Sequence, residues 1–161
     1  MPALQAGTVS WSVTNGNITS AGEFTGDHVG FWNITASSSV GVSGSFDVEV
    51  TYGTISHVIL VANNNQITAD ESVSFNITRV DVRGNSNTIN PPIANWTANN
   101  GTFSDETGEV NWTPWSKGQQ WVQVSVEGVV SNQILISVVD GAPVEMDLRV
   151  TGGFSQATAG E

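Results

Sequence analysis

The sequence predicts an all-β fold of tandem β-sandwich domains, one complete and two partial. Three observations predict it. Apolar and polar residues alternate with period two through nearly every ordered-looking stretch, as in Val73, Phe75 and Ile77 against Ser74, Asn76 and Thr78. Clusters of Gly, Asn, Asp and Ser interrupt these stretches every ~8–12 residues, the spacing of sandwich turns. And the chain repeats itself: Trp11-Ser-Val-Thr-Asn-Gly-Asn is echoed by Trp96-Thr-Ala-Asn-Asn-Gly-Thr, and Gly22-Glu-Phe by Gly108-Glu-Val. Gly30-Phe-Trp-Asn-Ile-Thr-Ala and Ser45-Phe-Asp-Val-Glu-Val have partners in Gln120-Trp-Val-Gln-Val-Ser-Val and Gln133-Ile-Leu-Ile-Ser-Val. Trp11 and Trp96 lie 85 residues apart, Gly53 and Gly141 lie 88 apart. A period of that size is one small β-domain rather than a solenoid turn.

The phase of the repeat sets the expected domains. Residues 1–53 carry only the later strands of a sandwich, from the Trp11 strand onward. Thr51-Tyr-Gly-Thr54 is the first linker, and residues 54–140 form the complete domain. Its strands are expected near 57–62, 72–80, 93–98, 108–113, 120–127 and 132–139. Asp140-Gly-Ala-Pro143 is the second linker, because Gly and Pro break a strand ladder between domains. Residues 141–161 supply the first strand of a further domain: Glu145-Met-Asp-Leu-Arg-Val150 echoes His57-Val-Ile-Leu-Val-Ala62, and Gln156-Ala-Thr-Ala-Gly-Glu161 echoes Gln66-Ile-Thr-Ala-Asp-Glu71. No window shows a helical period. The chain is thus expected to start inside one domain and stop inside a third. Either it is a window on a longer array, the favoured expectation, or its ends are completed by strand exchange between copies.

The order of pieces carries a resemblance. An opening strand is followed by Ile67-Thr-Ala-Asp-Glu, Val73-Ser-Phe-Asn-Ile, Asp81-Val-Arg-Gly-Asn, Trp96, a Gly-rich turn, Gly108-Glu-Val and two closing strands. This resembles the immunoglobulin-like (Big-type) tandem repeats of bacterial and archaeal surface proteins, of the invasin and intimin kind. The Asp-x-x-Gly-Asn turn is its most specific piece. The resemblance covers 54–140 fully and both flanks in part. It implies tandem arrays that extend from a cell or virion surface, and it brings no catalytic residues with it.

Composition narrows the function classes. Fifteen acids against four basic residues give a net charge of −11. No basic patch is available to displace counterions from phosphates, so nucleic acid is not an expected partner, nor is an anionic membrane surface. The acids are scattered, which suits solubility. The absence of cysteine excludes disulfides and thiolate chemistry. No signal peptide is visible and no apolar run reaches the ~18 residues of a span, so no membrane insertion is expected in this segment.

Six Asn-x-Thr triplets begin at Asn17, Asn33, Asn76, Asn95, Asn100 and Asn111, several times what the Asn and Thr content produces by chance. Each fits the N-glycosylation acceptor. In a strand, Asn and Thr share the solvent face while the middle residue turns inward. An Asn- and Thr-rich strand also makes this pattern with no sugar attached. Glycans, if present, imply export in an N-glycosylating organism such as an archaeon. Pro114 after Thr113 makes Asn111 the poorest acceptor.

Trp11 and Trp96 hold equivalent places and are expected in the core. Trp112, Trp115 and Trp121 cluster: Trp112 is expected inside with Trp115 and Trp121 covering a domain junction, and an exposed platform of them could instead stack on a sugar ring. Phe31 alternates with Trp32 in a strand, so one of the two is expected to face out at an interface. Asp70, Glu71, Asp81, Asp105, Glu106 and Asp140 lie in or beside turns, where calcium could be held at a domain junction. No Asp-x-Asp-x-Asp loop occurs, so solvated turns and no cofactor are the expectation. The only histidines, His28 and His57, sit near no serine elbow, so no enzyme is expected. The sequence therefore points to an extracellular structural segment, a surface stalk or filament whose partners are neighbouring domains. The alternative is an adhesin gripping a glycan or a protein. An accessory domain of a secreted enzyme ranks third.

Overall fold

The computed structural model describes residues 7–89, 96–106 and 109–141. Fifteen strands and no helix occur among them. A first set comprises β1 (Val9–Val13), β2 (Asn17–Ile18), β3 (Phe24–Thr25), β4 (Gly30–Ser38) and β5 (Ser43–Val50). A second comprises β6 (Ile55–Ala62), β7 (Gln66–Thr68), β8 (Val73–Asp81), β9 (Ser86–Ile89), β10 (Trp96–Ala98), β11 (Thr102–Glu106), β12 (Glu109–Thr113), β13 (Gly118–Val126), β14 (Val129–Val130) and β15 (Ile134–Val139). No sheet is shared between the two sets.

The second set is a β-sandwich of immunoglobulin-like character. One sheet runs β10-β13-β15-β7, with β14 on β13; the other runs β11-β12-β8-β6, with β9 on β8. The opening segment splits between the layers: β6 pairs antiparallel with β8, while β7 pairs parallel with β15, Gln66 opposite Ser137 and Ile67 opposite Val138. Alternation decides what lies between the sheets. Val58 and Leu60 of β6, Val73 and Ile77 of β8, Val122 and Val124 of β13, and Ile136 and Val138 of β15 point inward and form one core with Trp96 and Trp112. Their neighbours Ile59, Val61, Leu135 and Val139 face out.

The six strands expected for this domain are present with ends shifted by a few residues, and 93–95 lie outside the described residues. β7, β9, β11 and β14 were not expected; they are short or polar, and only pairing makes them strands. The further strand expected in 141–161 also lies outside, from residue 142 onward.

The first set forms a three-stranded sheet β1-β4-β5 and a small β2-β3 hairpin. Its registers reproduce the sandwich's. Trp11 opposes Ala36 as Trp96 opposes Val124. Trp32 opposes Val48 as Gln120 opposes Ile136, and Ile34 opposes Phe46 as Val122 opposes Ile134. β1, β4 and β5 thus stand for β10, β13 and β15, with Trp32, and not Gly30 as the sequence match had it, at the place of Gln120.

Candidate functional site: a joint between units, an open sheet face and the sequons

The Asp-x-x-Gly-Asn turn sits where the two sets meet. β8 ends at Asp81, which is 5% exposed. Its carboxylate folds back over the turn: Oδ1 accepts from the backbone N–H of Arg83 (2.8 Å) and of Asn85 (2.9 Å). Oδ2 accepts from the Asn85 amide (3.0 Å) and from the N–H of Gly53 in the linker (3.1 Å). The Val82 N–H adds a bond to the Thr54 carbonyl at 3.1 Å. Gly84, at φ +86°, is in the left-handed region that closes the turn. Burial raises the Asp81 pKa, but the Asn85 amide and the three N–H groups of Gly53, Asn85 and Arg83 outweigh it and lower it from 3.8 to about 2. With both oxygens filled by protein donors, this carboxylate serves the joint.

Asn85 carries the link onward. Its Nδ2 donates to the Asp27 carbonyl (3.0 Å), and its Oδ1 accepts from the Val29 N–H (3.2 Å), both in the loop between β3 and β4. The Arg83 guanidinium stands 3.1 Å from Asp27 Oδ1, an ion pair by distance rather than an aligned hydrogen bond. On the linker, Tyr52 donates to the Ser86 carbonyl (3.3 Å), and the Arg79 guanidinium lies 4.7 Å from its ring centroid. A turn already singled out by its residues thus joins the units. That a turn lies here was legible from its residues; the fold-back of its carboxylate and its contact with Asp27 and Val29 were not.

The aromatics separate. Trp96 is buried, its ring centroid 5.1 Å from that of Phe75 and 5.6 Å from that of Phe103 in tilted arrangements. Trp112 is fully buried, and its indole N–H donates to the Asn100 carbonyl at 2.8 Å, while Trp115 is exposed and Trp121 half-buried. Trp11, expected in the core, is only half-buried: it packs over Gly22 on a face that no second full sheet covers. Of the Phe31/Trp32 pair, Phe31 faces out.

That face is the second feature. It carries Trp11, Val13, Trp32, Ile34, Ala36, Phe46, Val48 and Val50 by the paired registers, and it is covered in part: Ile34 is 2% exposed, and Gly22 and Gly26 lie against Trp11 and Val50. The equivalent face of the sandwich is sealed, with Val122, Val124 and Ile136 fully buried. Here Phe46 remains 55% exposed, and a shallow apolar groove runs by Val9, Ala36, Val42 and Gly44.

The sequons fall into two groups. Asn17 and Asn76 are exposed, and Ile77 beside Asn76 is buried. Asn33 is half-buried and donates to Asp47 Oδ1 at 2.8 Å. Asn100 is tied down: its amide donates to Ser116 Oγ (3.1 Å) and to Gln120 Oε1, and its Oδ1 accepts from the Trp115 N–H (3.2 Å). Asn111 is half-buried beside buried Trp112. Asn95 lies outside the described residues, as do the side chains of Asp105 and Glu106. Among the described residues, no group of three His, Asp or Glu stands close enough to hold a metal. Lys117 pairs with Asp140 at 3.1 Å. Among the described residues, no helix is long and apolar enough to cross a membrane.

No family model matches the chain, and no curated protein does. Among solved structures it is similar to domains 4 and 5 of the S-layer protein SbsC, at 15% identity and TM-score 0.39, over 86% of this chain and 74% of that one. Domains 5–6 of the same protein give 19% identity and TM-score 0.40, over 83% and 76%. Murine CEACAM1b gives 13% and 0.30, over 86% and 89%. At such identities and scores the likeness carries no argument about this chain.

Proposed function

We propose that this chain is a non-enzymatic structural segment of an extracellular surface stalk or filament, built from tandem immunoglobulin-like units. The observation that carries the reading is the joint: a buried carboxylate, a linker N–H and Asn85 bind one unit to the next through directed hydrogen bonds. A protein whose task is to set the direction of an array needs such a joint. The units are further joined head to tail by strand complementation at the open sheet. N-linked glycans decorate the array at Asn17 and Asn76, whose amides are exposed, rather than at Asn33 or Asn100, whose amides are engaged.

Small-angle scattering of the full chain tests the structural reading. An elongated particle that stays rigid, and loosens in an Asp27→Ala/Arg83→Ala variant, supports it; a profile of freely jointed units, unchanged by the substitutions, counts against it. Peptide mapping of protein from its native source tests the glycans, with occupancy expected at Asn17 and Asn76 and little at Asn100. The adhesin reading draws on Trp115, 71% exposed beside the Lys117–Asp140 pair. Glycan binding abolished by Trp115→Ala would favour it.

A further inference from the structure

We propose that Asn15 is a site of spontaneous deamidation in the folded chain, and that Asn100, its counterpart in the second unit, is shielded from the same reaction. The chain holds two Asn-Gly pairs, Asn15-Gly16 and Asn100-Gly101. Asn before Gly is open to this chemistry because no side chain hinders the backbone nitrogen that attacks. The two pairs occupy the same turn. Gly16 has φ +92° and Gly101 has φ +95°. A Cβ on Gly16 would meet Phe24 and the Thr25 carbonyl, and one on Gly101 would meet Trp112 and the Thr113 carbonyl. The asparagines are thus alike in neighbour and backbone, and they differ in what their side chains touch.

Asn100 is held on both sides. Its Nδ2, the leaving group, donates to Ser116 Oγ at 3.1 Å and to Gln120 Oε1, and its Oδ1 accepts from the Trp115 N–H at 3.2 Å. Gln120 is itself buried and anchored, its Nε2 donating to the carbonyls of Ser116 (3.2 Å) and Lys117 (3.3 Å). Gly30 and Gly118, both at positive φ, and the matched registers set His28 at the place of Ser116 and Trp32 at that of Gln120. There the Trp32 indole N–H donates to the His28 carbonyl at 2.9 Å rather than to Asn15. Among the described residues the Asn15 side chain makes one hydrogen bond, its Oδ1 accepting from the Gly16 N–H at 2.7 Å. The side-chain carbonyl is therefore folded onto the nitrogen that attacks it, and Gly16 is exposed to water.

The reaction needs only water. The Gly16 nitrogen, on losing its proton, bonds to Asn15 Cγ; the Cγ–Nδ2 bond breaks, and ammonia leaves with that proton. Water then opens the cyclic imide at either carbonyl. One opening gives aspartate, the other isoaspartate, in which the main chain runs through Cγ. Asn15 should convert at least about tenfold faster than Asn100, since the placement of reacting atoms acts on that scale.

The test incubates the full chain in mildly alkaline buffer, with circular dichroism showing that it stays folded. Peptide mapping by mass spectrometry then follows the amide-to-acid mass gain at each pair and separates isoaspartate from aspartate. A parallel sample is kept in denaturant, where the two rates should converge. Equal conversion of the two pairs in the folded chain would overturn the proposal. So would an Asn15 that stays intact when folded while the denatured chain converts. A difference that persists unchanged in denaturant would overturn the shielding of Asn100 by its fold.

Discussion

Asp81 shows how much one side chain does here. Its four donors come from its own turn and from the linker, so protonating it loosens both. The sign follows from the lowered pKa. Its contribution is complete above the ordinary value of 3.8 and is lost as pH falls through about 2. The amide resonances of Gly53, Arg83 and Asn85 should therefore titrate together near pH 2, and Asp81→Asn should abolish that transition. Gly101 makes a steric test. It sits at φ +95°, and a Cβ there would run into the Trp112 indole and the Thr113 carbonyl. Gly101→Ala should cost about 2–3 kcal/mol by strain and displacement of the core indole, measured by chemical denaturation. Gly44→Ala, in open space at an ordinary φ, should leave stability within about 0.5 kcal/mol.

At the scale of elements, alternation in sequence located the long strands because each has one face toward a core. β8 and β13 were legible for this reason. β9 was not: Ser86-Asn-Thr-Ile89 has no apolar alternation, and it is a strand because it pairs with β8. β7 has three residues, too few to show a period, and its parallel partner lies seventy residues on. β12 is the element whose packing bears most weight, since Trp112 is fully buried between the sheets. Trp112→Ala should destabilise the sandwich by about 3–5 kcal/mol, the usual loss for a large aromatic removed from a core. Thermal or denaturant unfolding would check it. Trp115→Ala, on an exposed side chain three residues away, should change stability by less than about 0.5 kcal/mol.

For the whole molecule, the repeat of pairing has the largest consequence. Two sheets with the same registers differ in what covers them: one is sealed across its face, the other is covered in part, with Ile34 2% and Phe46 55% exposed. The candidate site was legible in part. The Asp81 turn, the six sequons and the equivalence of Trp11 and Trp96 are all visible as residues in order. That Asn85 reaches Asp27 and Val29, more than fifty positions away, is a long-range fact no local pattern contains. The same holds for Asn100, which reads as an acceptor for sugar in its triplet but spends its amide on Gln120 and Ser116.

Sequence alone was enough for the all-β class, the period of the repeat, the lack of a thiol and the acidic composition, because these depend on residue content and on period-two alternation. Tertiary structure alone decided which tryptophan is sealed and which lies half-open, which asparagines are free, and which turn joins the units. Each of those depends on what packs against a residue from a distant part of the chain, and burial and hydrogen-bond partners are properties of that packing.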